Sequence, residues 1–125
     1  VEYKPEALDI LEQNKARFQT ENLQIVAGRA EEQVQHLPVP DCVFLGGSSG
    51  AAKQLVAGLR QLRQPVRLVA SAVTMETQAE LFPLLQELPQ FEVVQLAVSC
   101  GKAVGNYHVL EGNHPVLLFS CMTKE

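Results

Sequence analysis

The residues that could do chemistry in this sequence come directly after short apolar runs. They form four groups, which are Glu2-Tyr3, Gly28-Arg29-Ala30, residues 46–50 and residues 71–76. If each apolar run is a strand of an open α/β sheet, every group lies beyond the carboxyl end of its strand, where such sheets bind ligands. The four groups therefore predict one shared ligand cleft.

Each group allows a binding interpretation and a structural one. Glu2 could accept hydrogen bonds from both hydroxyls of a ribose, or it could be a solvated acid that stabilises a helix N-terminus. Gly28 and the small Ala30 could let a flat ring approach the backbone, or they could form a turn with nothing bound. Thr74 and Glu76 could contact a polar substrate, although a threonine at such a place equally well caps a helix.

The glycine- and serine-rich segment GGSSG, residues 46–50, raises the question of a phosphate site. It lacks the Gly-Lys-Ser/Thr ending of a Walker loop, because Lys53 lies beyond the turn, and its glycines lack the dinucleotide-binding spacing. Glycine does allow the backbone to approach a ligand closely. The segment therefore favours a backbone wall against a ligand over a phosphate cradle.

Composition limits the classes of partner. The chain has 125 residues and a formal net charge of -4, which favours one domain over residues 1–125 and argues against nucleic acid and membranes as partners. Its three cysteines form no disulfide framework, which favours reduced thiols and a cytoplasmic protein. His108, His114, Cys100 and Cys121 lack the spacing of a zinc motif, so no metal is expected.

Strands and helices alternate along most of the chain, which predicts an α/β fold with a mainly parallel sheet. The last two strands have no helix between them, and we expect residues 91–99 to pair antiparallel with residues 115–122 at one side of the sheet. Thr77 and Glu80 should form a capping box at the start of the fourth helix. The expected helices are residues 5–18, 51–62 and 77–88, and residues 30–37 are expected to form a short helix or a helical turn. The other expected strands are residues 23–27, 42–46 and 66–71.

Four stretches together resemble one enzyme family, and they read VEYKPEAL, NLQIVAGRAEEQVQHLPVPDCVFLGGSSG, ASAVTMET and GNYHVLEGNHPVLLFS. They resemble the carbon-15-methylating, decarboxylating subunit of precorrin-6Y methyltransferase, an enzyme of cobalamin biosynthesis. The resemblance runs from Val1 to about Ser120, and the combination of GRAEE…LP.PD..F.GGS.G with AVT.ET is specific.

This resemblance implies a Rossmann-like class I methyltransferase fold, S-adenosylmethionine as the cofactor and a precorrin tetrapyrrole as the substrate. The implied reaction is methylation at carbon 15 with loss of carbon dioxide from an acetate side chain. Alignment of the methyl group with the nucleophilic carbon supplies most of the catalysis in a direct transfer. No catalytic side chain is therefore assigned.

The resemblance also implies site residues. Glu2 matches the acidic residue that holds the cofactor ribose, and residues 28–30 match the loop beside the adenine. Residues 46–47 match the loop near the methionine end of the cofactor and the substrate. At Ser71 the family commonly has asparagine, so we expect the polar contact there to differ. The candidate cofactor-binding residues are Glu2, Tyr3, Gly28, Arg29, Ala30, Gly46 and Gly47. The candidate substrate-binding residues are Ser48, Ser71, Thr74, Glu76, Tyr107 and His108.

In this family the glycine-rich loop that holds the methionine moiety precedes the position of Val1. We therefore expect a partial, N-terminally truncated domain that belongs to a longer polypeptide or self-associates through open strand edges, and that binds S-adenosylmethionine weakly by itself. A homo-oligomer is expected, as is fusion to or partnership with the carbon-5-methylating domain. Two alternatives remain, a class I methyltransferase for another small molecule and a non-catalytic α/β module that binds a nucleotide or a protein.

Overall fold

The structure is a computed structural model, and it describes residues 1–47 and 50–125. The chain forms two compact units, Val1–Val39 and Pro40–Glu125. A single domain over residues 1–125 stays a prediction. No helix within the described ranges has the length and apolar character that a membrane crossing requires.

The first unit contains two helices. The first, α1 (Pro5–Phe18), has the predicted bounds. Pro5 suits its first turn, because the fixed φ of proline is helical and its missing N–H would have no partner there. The second helix, α2 (Ala30–Gln33), continues into a 3-10 turn, Val34–His36.

The expected strand at residues 23–27 is reduced to one parallel bridge between Glu2 and Ala27. The Glu2 N–H donates to the Val26 carbonyl at 3.1 Å, and the Gly28 N–H donates to the Glu2 carbonyl at 2.9 Å. The pairing stops there because the Lys4 N–H, the next donor along this ladder, donates to Oε1 of Glu2 at 2.9 Å, and α1 begins at Pro5.

The second unit contains six strands and two helices within the described residues. In chain order they are β1 (Cys42–Leu45), α3 (Ala52–Gln61), β2 (Arg67–Ala72), α4 (Met75–Leu85), β3 (Glu92–Leu96), β4 (Ser99–Val104), β5 (Tyr107–Gly112) and β6 (Val116–Met122). Four strands form one sheet in the order β1-β2-β6-β3. β1 and β2 pair in parallel, whereas β6 runs antiparallel to β2 and β3. Three strands thus share one direction, which confirms the predicted α/β fold with mostly parallel strands and an antiparallel pair.

The core of the second unit lies where α4 packs against β2 and β6. Leu81 and Leu85 lie four residues apart on α4, so one face of the helix brings both into the core. Phe119 and Cys121 lie two residues apart on β6, so both point to the same side of the sheet, and both are buried. Cys121 pairs with Leu68 of β2 and is completely buried. α3 contacts α4 and buries Ala52, Leu55, Val56 and Leu59.

A side chain extends the β2–β6 ladder by one step. The Thr123 N–H donates to the Val66 carbonyl at 3.0 Å, and the Val66 N–H donates to Oγ1 of Thr123 at 3.0 Å. Both residues are buried. The threonine hydroxyl therefore takes the place of a backbone carbonyl that β6 no longer offers at this end.

A hairpin that the sequence analysis did not predict lies between β3 and β6. β4 and β5 pair antiparallel in a separate two-stranded sheet, so the single expected strand over residues 91–99 was wrong beyond Leu96. The turn is Gly105-Asn106, and Gly105 has a φ of 59°. Both strands are exposed along their whole length, so neither is the half-buried strand that apolar periodicity is used to predict.

Candidate functional site

The first unit brings together four of the predicted cofactor-binding residues. The parallel bridge between Glu2 and Ala27 aligns two extended segments that run in the same direction. Their next residues, Tyr3 and Gly28, therefore leave the bridge at the same edge, and Arg29 follows. This is the geometry that the sequence analysis expected for the first two groups.

The Glu2 carboxylate is held at the start of α1. Its Oε1 accepts hydrogen bonds from the backbone N–H groups of Tyr3, at 2.8 Å, and Lys4, at 2.9 Å. These two bonds stabilise the ionised form and so hold the pKa of Glu2 below its ordinary value. The bond from Lys4 has the larger effect, and the bond from Tyr3 has the next largest. Glu2 thus supports the helix start, as the structural interpretation proposed, and it also presents an ionised acceptor.

Gly28 occupies a backbone conformation that only glycine adopts readily. Its φ is 137°, and a Cβ at this position would lie 2.7 Å from Nε2 and 3.0 Å from Cγ of Gln33. The flexible Gln33 side chain could move away, so the positive φ is the stronger requirement. Gly28 itself presents no side chain next to Glu2, and the Gln33 side chain packs against the position where a Cβ would stand.

Arg29 and Tyr3 contact each other. The guanidinium carbon of Arg29 lies 5.0 Å from the centroid of the Tyr3 ring, which is within the range of a cation–π interaction. Nη1 of Arg29 also lies 3.7 Å from Oε1 of Glu31, a partly exposed and therefore weak ion pair. Ala30 follows as the first residue of α2. The guanidinium of Arg29 thus lies over the Tyr3 ring.

The second unit brings together the carboxyl ends of β1 and β2. The last paired residues of this parallel ladder are Leu45 and Ala70. Oγ of Ser71, the next residue on β2, lies 3.3 Å from the carbonyl oxygen of Gly46 and 3.5 Å from that of Leu45. A Cβ on Gly47 would meet no atom of the described residues within 4 Å. Ser48, a predicted substrate-binding residue, lies outside the described residues.

Thr74 has a structural role at the start of α4. Its Oγ1 accepts a hydrogen bond from the Thr77 N–H at 3.2 Å and lies 2.9 Å from Oγ1 of Thr77. The helix therefore begins at Met75, and the predicted capping box of Thr77 and Glu80 was wrong by one turn. The N-cap is Thr74, three residues before Thr77, because Thr74 is in the extended conformation that an N-cap requires. Glu76 lies exposed in the first helical turn.

Tyr107 and His108 lie elsewhere, on the first two positions of β5. The β4–β5 hairpin packs against no other helix or strand in the part of the chain that the structure describes. Consecutive strand residues point to opposite faces, so the two side chains do not form one surface. Their role in substrate binding stays a prediction.

Sequence reasoning overlooked two apolar residues beside these strand ends. Phe44 of β1 is 65% exposed, and a Cβ on Gly46 would lie 3.4 Å from Cε1 of its ring. Met75, next to the Thr74 cap, is 80% exposed. An apolar residue type gives no sign of exposure, and only the fold reveals that both side chains lie at the surface beside these strand ends.

The two clusters belong to different units, so a shared cleft between them stays a prediction.

The described residues can also be searched for a possible metal site. Within residues 1–47 and 50–125, no three or more His, Cys, Asp or Glu side chains are grouped as a metal ion would need.

Comparisons with known proteins agree on one family. A model described as the precorrin methyltransferase domain matches residues 1–123. Cobalt-precorrin-6B C(15)-methyltransferase (decarboxylating) of Salmonella typhimurium is 29% identical over 128 residues, which covers 100% of this chain and 66% of that protein. Precorrin-6Y C(5,15)-methyltransferase (decarboxylating) of a Sinorhizobium species is 33% identical over 81 residues, which covers 65% of this chain and 20% of that protein.

A solved structure supports the same family. The crystal structure of precorrin-6y C5,15-methyltransferase from Geobacter metallireducens matches with a TM-score of 0.79 and 27% identity, covering 98% of this chain and 64% of that chain. The chain thus spans slightly less than two thirds of two of these relatives, with 66% of the Salmonella protein and 64% of the Geobacter chain, and its match covers 20% of the Sinorhizobium protein.

Proposed function

The chain belongs to the precorrin methyltransferase domain family, and on that premise we propose that it takes part in the methylation of a precorrin tetrapyrrole at carbon 15. S-adenosylmethionine is the methyl donor, and an acetate side chain of the substrate loses carbon dioxide. This is a step of cobalamin biosynthesis. Its relatives carry such names, as in the cobalt-precorrin-6B C(15)-methyltransferase (decarboxylating) of Salmonella typhimurium.

The observation that carries the proposal is the arrangement of Glu2 and Gly28. An ionised carboxylate suits the two hydroxyls of a ribose, because each hydroxyl can donate a charge-assisted hydrogen bond to it. Glu2 keeps its charge through two backbone hydrogen bonds to Oε1. Beside it, Gly28 has no side chain of its own, and the flexible Gln33 side chain that lies against this glycine can move aside when a flat ring approaches. These two features fit the ribose and adenine of the cofactor.

The chain's own residues then have separate tasks. Glu2 and Tyr3 hold the ribose, Gly28 to Ala30 lie along the adenine, and Gly46 and Gly47 form the wall of the transfer site. When bound, S-adenosylmethionine supplies an activated methyl group. The protein contributes mainly alignment of the two reactants and exclusion of water, which together account for much of the rate of a direct transfer.

The tetrapyrrole contacts Ser71, Thr74 and Glu76 at the end of β2 in this proposal. Thr74 keeps its capping role, so its contribution to substrate binding comes through the start of α4 as much as through its hydroxyl. Ser48, Tyr107 and His108 are further candidates for contacts with the macrocycle. No side chain is assigned to the decarboxylation.

Incubation of the full-length protein with a precorrin substrate and methyl-labelled S-adenosylmethionine tests the function. We expect one labelled methyl group on the tetrapyrrole, with release of carbon dioxide, both detected by mass spectrometry. A substrate already methylated at carbon 15 serves as the control. If the label appears on neither tetrapyrrole while the protein remains folded, the proposed function is wrong.

The protein also acts as a homo-oligomer in the cytoplasm, in this proposal. Exposed apolar side chains on the β4–β5 hairpin support the oligomer, and three free cysteines support a reducing compartment. Partnership with, or fusion to, a carbon-5-methylating domain is supported by the C(5,15)-methyltransferase name of the Sinorhizobium relative.

A further inference from the structure

The side chain of Gln33 lies directly against the glycine turn of the first unit. A Cβ on Gly28 would lie 2.7 Å from Nε2 and 3.2 Å from Cδ of Gln33, so the carboxamide occupies the place that a side chain on Gly28 would take. The Gln33 N–H donates to the Arg29 carbonyl at 3.0 Å, which fixes the backbone of Gln33 relative to this turn. The carboxamide is therefore part of the candidate cofactor site, although the sequence analysis did not select it.

This carboxamide has unused capacity for hydrogen bonds. The Gln33 side chain is half-buried, and none of the hydrogen bonds among the described residues involves its carboxamide. A carboxamide carries N–H donors and a carbonyl acceptor on neighbouring atoms. Rotation about the last side-chain bond changes which of them faces a neighbour, while Cγ can stay beside Gly28. The group can thus pair with a ligand that offers a donor next to an acceptor.

The other polar side chains at this turn lack that combination. Arg29 has N–H donors alone, and its guanidinium lies over the Tyr3 ring, 5.0 Å from the centroid. The ionised carboxylates of Glu2 and Glu31 only accept hydrogen bonds. Of these side chains, only that of Gln33 places a donor and an acceptor on neighbouring atoms.

We propose that Gln33 selects adenine at this site, through paired hydrogen bonds to the exocyclic amino group and the adjacent ring nitrogen. The inference rests on the proposed function, in which the adenine of S-adenosylmethionine lies along residues 28–30. Adenine presents its N6 amino donor next to the N7 acceptor, and glutamine pairs with these two atoms in protein–DNA complexes. When the ring takes its place beside Gly28, the carboxamide turns from the glycine to the edge of the ring.

The alternative is that Gln33 only fills the space beside Gly28 and is pushed into solvent when the ring binds. Its replacement would then remove a competitor of the ring, so the affinity for the cofactor would stay the same or rise. Selection of adenine has the opposite consequence. The affinity falls, and it falls most for rings that carry the amino group.

Isothermal calorimetry on the full-length protein and its Gln33→Met variant tests this role. The two probes are S-adenosylhomocysteine and its purine analogue, in which a hydrogen replaces the amino group. Methionine is similarly long and flexible, so it can still pack against Gly28, but it has neither the N–H donors nor the carbonyl acceptor. We expect the parent protein to bind S-adenosylhomocysteine about tenfold more tightly than the analogue, and Gln33→Met to bind both probes with affinities within about twofold of each other.

Gln35→Met is the matched control, because Gln35 is an exposed glutamine of the adjoining 3-10 turn. This variant should keep the preference of the parent protein for S-adenosylhomocysteine. The inference is overturned if Gln33→Met binds S-adenosylhomocysteine at least as tightly as the parent protein does. It is also overturned if the variant loses affinity equally for both probes, because packing and not recognition of the amino group would then explain the loss.

These measurements involve neither a precorrin nor turnover, so they separate this inference from the proposed function. A protein that methylates the precorrin but shows no change of preference in Gln33→Met would overturn the role of Gln33 alone. A protein that selects adenine through Gln33 but leaves the precorrin unlabelled would overturn the proposed function alone.

Discussion

Glu2 combines a structural and a binding role in one carboxylate. Glu2→Ala removes both roles, whereas Glu2→Gln keeps an oxygen that can accept from the Tyr3 and Lys4 N–H groups. We expect Glu2→Gln to bind S-adenosylmethionine about tenfold or more weakly in isothermal calorimetry, because the negative charge that the ribose hydroxyls favour is lost. Glu6→Ala, an exposed acid in the first turn of α1, is the matched control. Equal affinity of Glu2→Gln and the parent protein would remove Glu2 from the site.

The same carboxylate sets a pH dependence. Its pKa lies below the ordinary value of 4.5, so its contribution to stability is fully present above that pH and is lost as the pH falls through the lowered value. Cofactor affinity that depends on Glu2 should accordingly persist down to pH 4.5.

Gly47 offers a clean test of the ligand wall. Its φ lies outside the positive range, and a side chain would meet no described atom within 4 Å. Gly47→Val should therefore leave the thermal midpoint nearly unchanged and reduce methyl transfer by at least about tenfold, because the side chain would enter the ligand's space. Gly58→Val, at a helical glycine with equally open surroundings, should leave transfer intact. Equal activity in Gly47→Val and the parent would make this glycine a simple turn residue.

Residue types indicated candidate binding residues, which stay predictions, but not the local roles of these residues. Glu2, Gly28 and Gly46 were chosen because they follow apolar runs, and open α/β sheets bind ligands beyond the carboxyl ends of their strands. The Ser71 contact could not be foreseen, since it depends on the register that places Leu45 beside Ala70. Register is a property of the folded sheet and leaves little trace in a serine's sequence neighbours.

Among the elements, the hydrogen bond by which Thr123 extends the β2–β6 ladder should contribute measurably to the free energy of unfolding. Thr123→Val removes the oxygen that accepts from the buried Val66 N–H. The unpaired donor should lower the free energy of unfolding by about 1–3 kcal/mol, measured by urea denaturation. Thr123→Ser keeps the oxygen and should lose clearly less, although it also removes a buried methyl group. Similar losses in both variants would mean that packing, and not the hydrogen bond, stabilises this end of the sheet.

The helices and the central strands were predictable, and the hairpin was not. α1, β2 and the β3–β6 pairing follow from apolar periodicity and from the absence of a helix late in the chain. β4 and β5 bury neither face within the described structure, so periodicity could not reveal them. The one available signal was the Gly105-Asn106 dipeptide, which is typical of a two-residue hairpin turn.

At the scale of the whole molecule, the hairpin exposes apolar surface that a second copy of the chain would cover in the proposed homo-oligomer. One face carries the ion pair of Lys102 with Glu111, at 2.8 Å. The other carries Leu110, which is 78% exposed and lies opposite Gly101, so a partner can approach closely. Such surfaces commonly mark protein interfaces.

Leu110→Lys should therefore reduce the molecular mass in multi-angle light scattering without lowering the thermal midpoint of the isolated chain. The charge would be buried without a counterion in the assembly. Ile10→Lys, at an exposed apolar residue of α1, is the control and should leave the mass unchanged. A Leu110→Lys variant with the parent's mass would exclude this face as the interface.

Because Cys121 is buried, its rate of reaction with a thiol reagent reports how often the sheet opens. Cys42 and Cys100 are exposed, whereas Cys121 lies in the core of the sheet, where burial raises the pKa of its thiol. A thiol reagent should therefore consume two of these three sulfhydryls in a rapid burst and the third only as often as β2 and β6 separate. Low concentrations of urea should accelerate that slow phase alone. If all three thiols react in a single phase, β2 and β6 separate at least as fast as the reagent modifies the exposed cysteines.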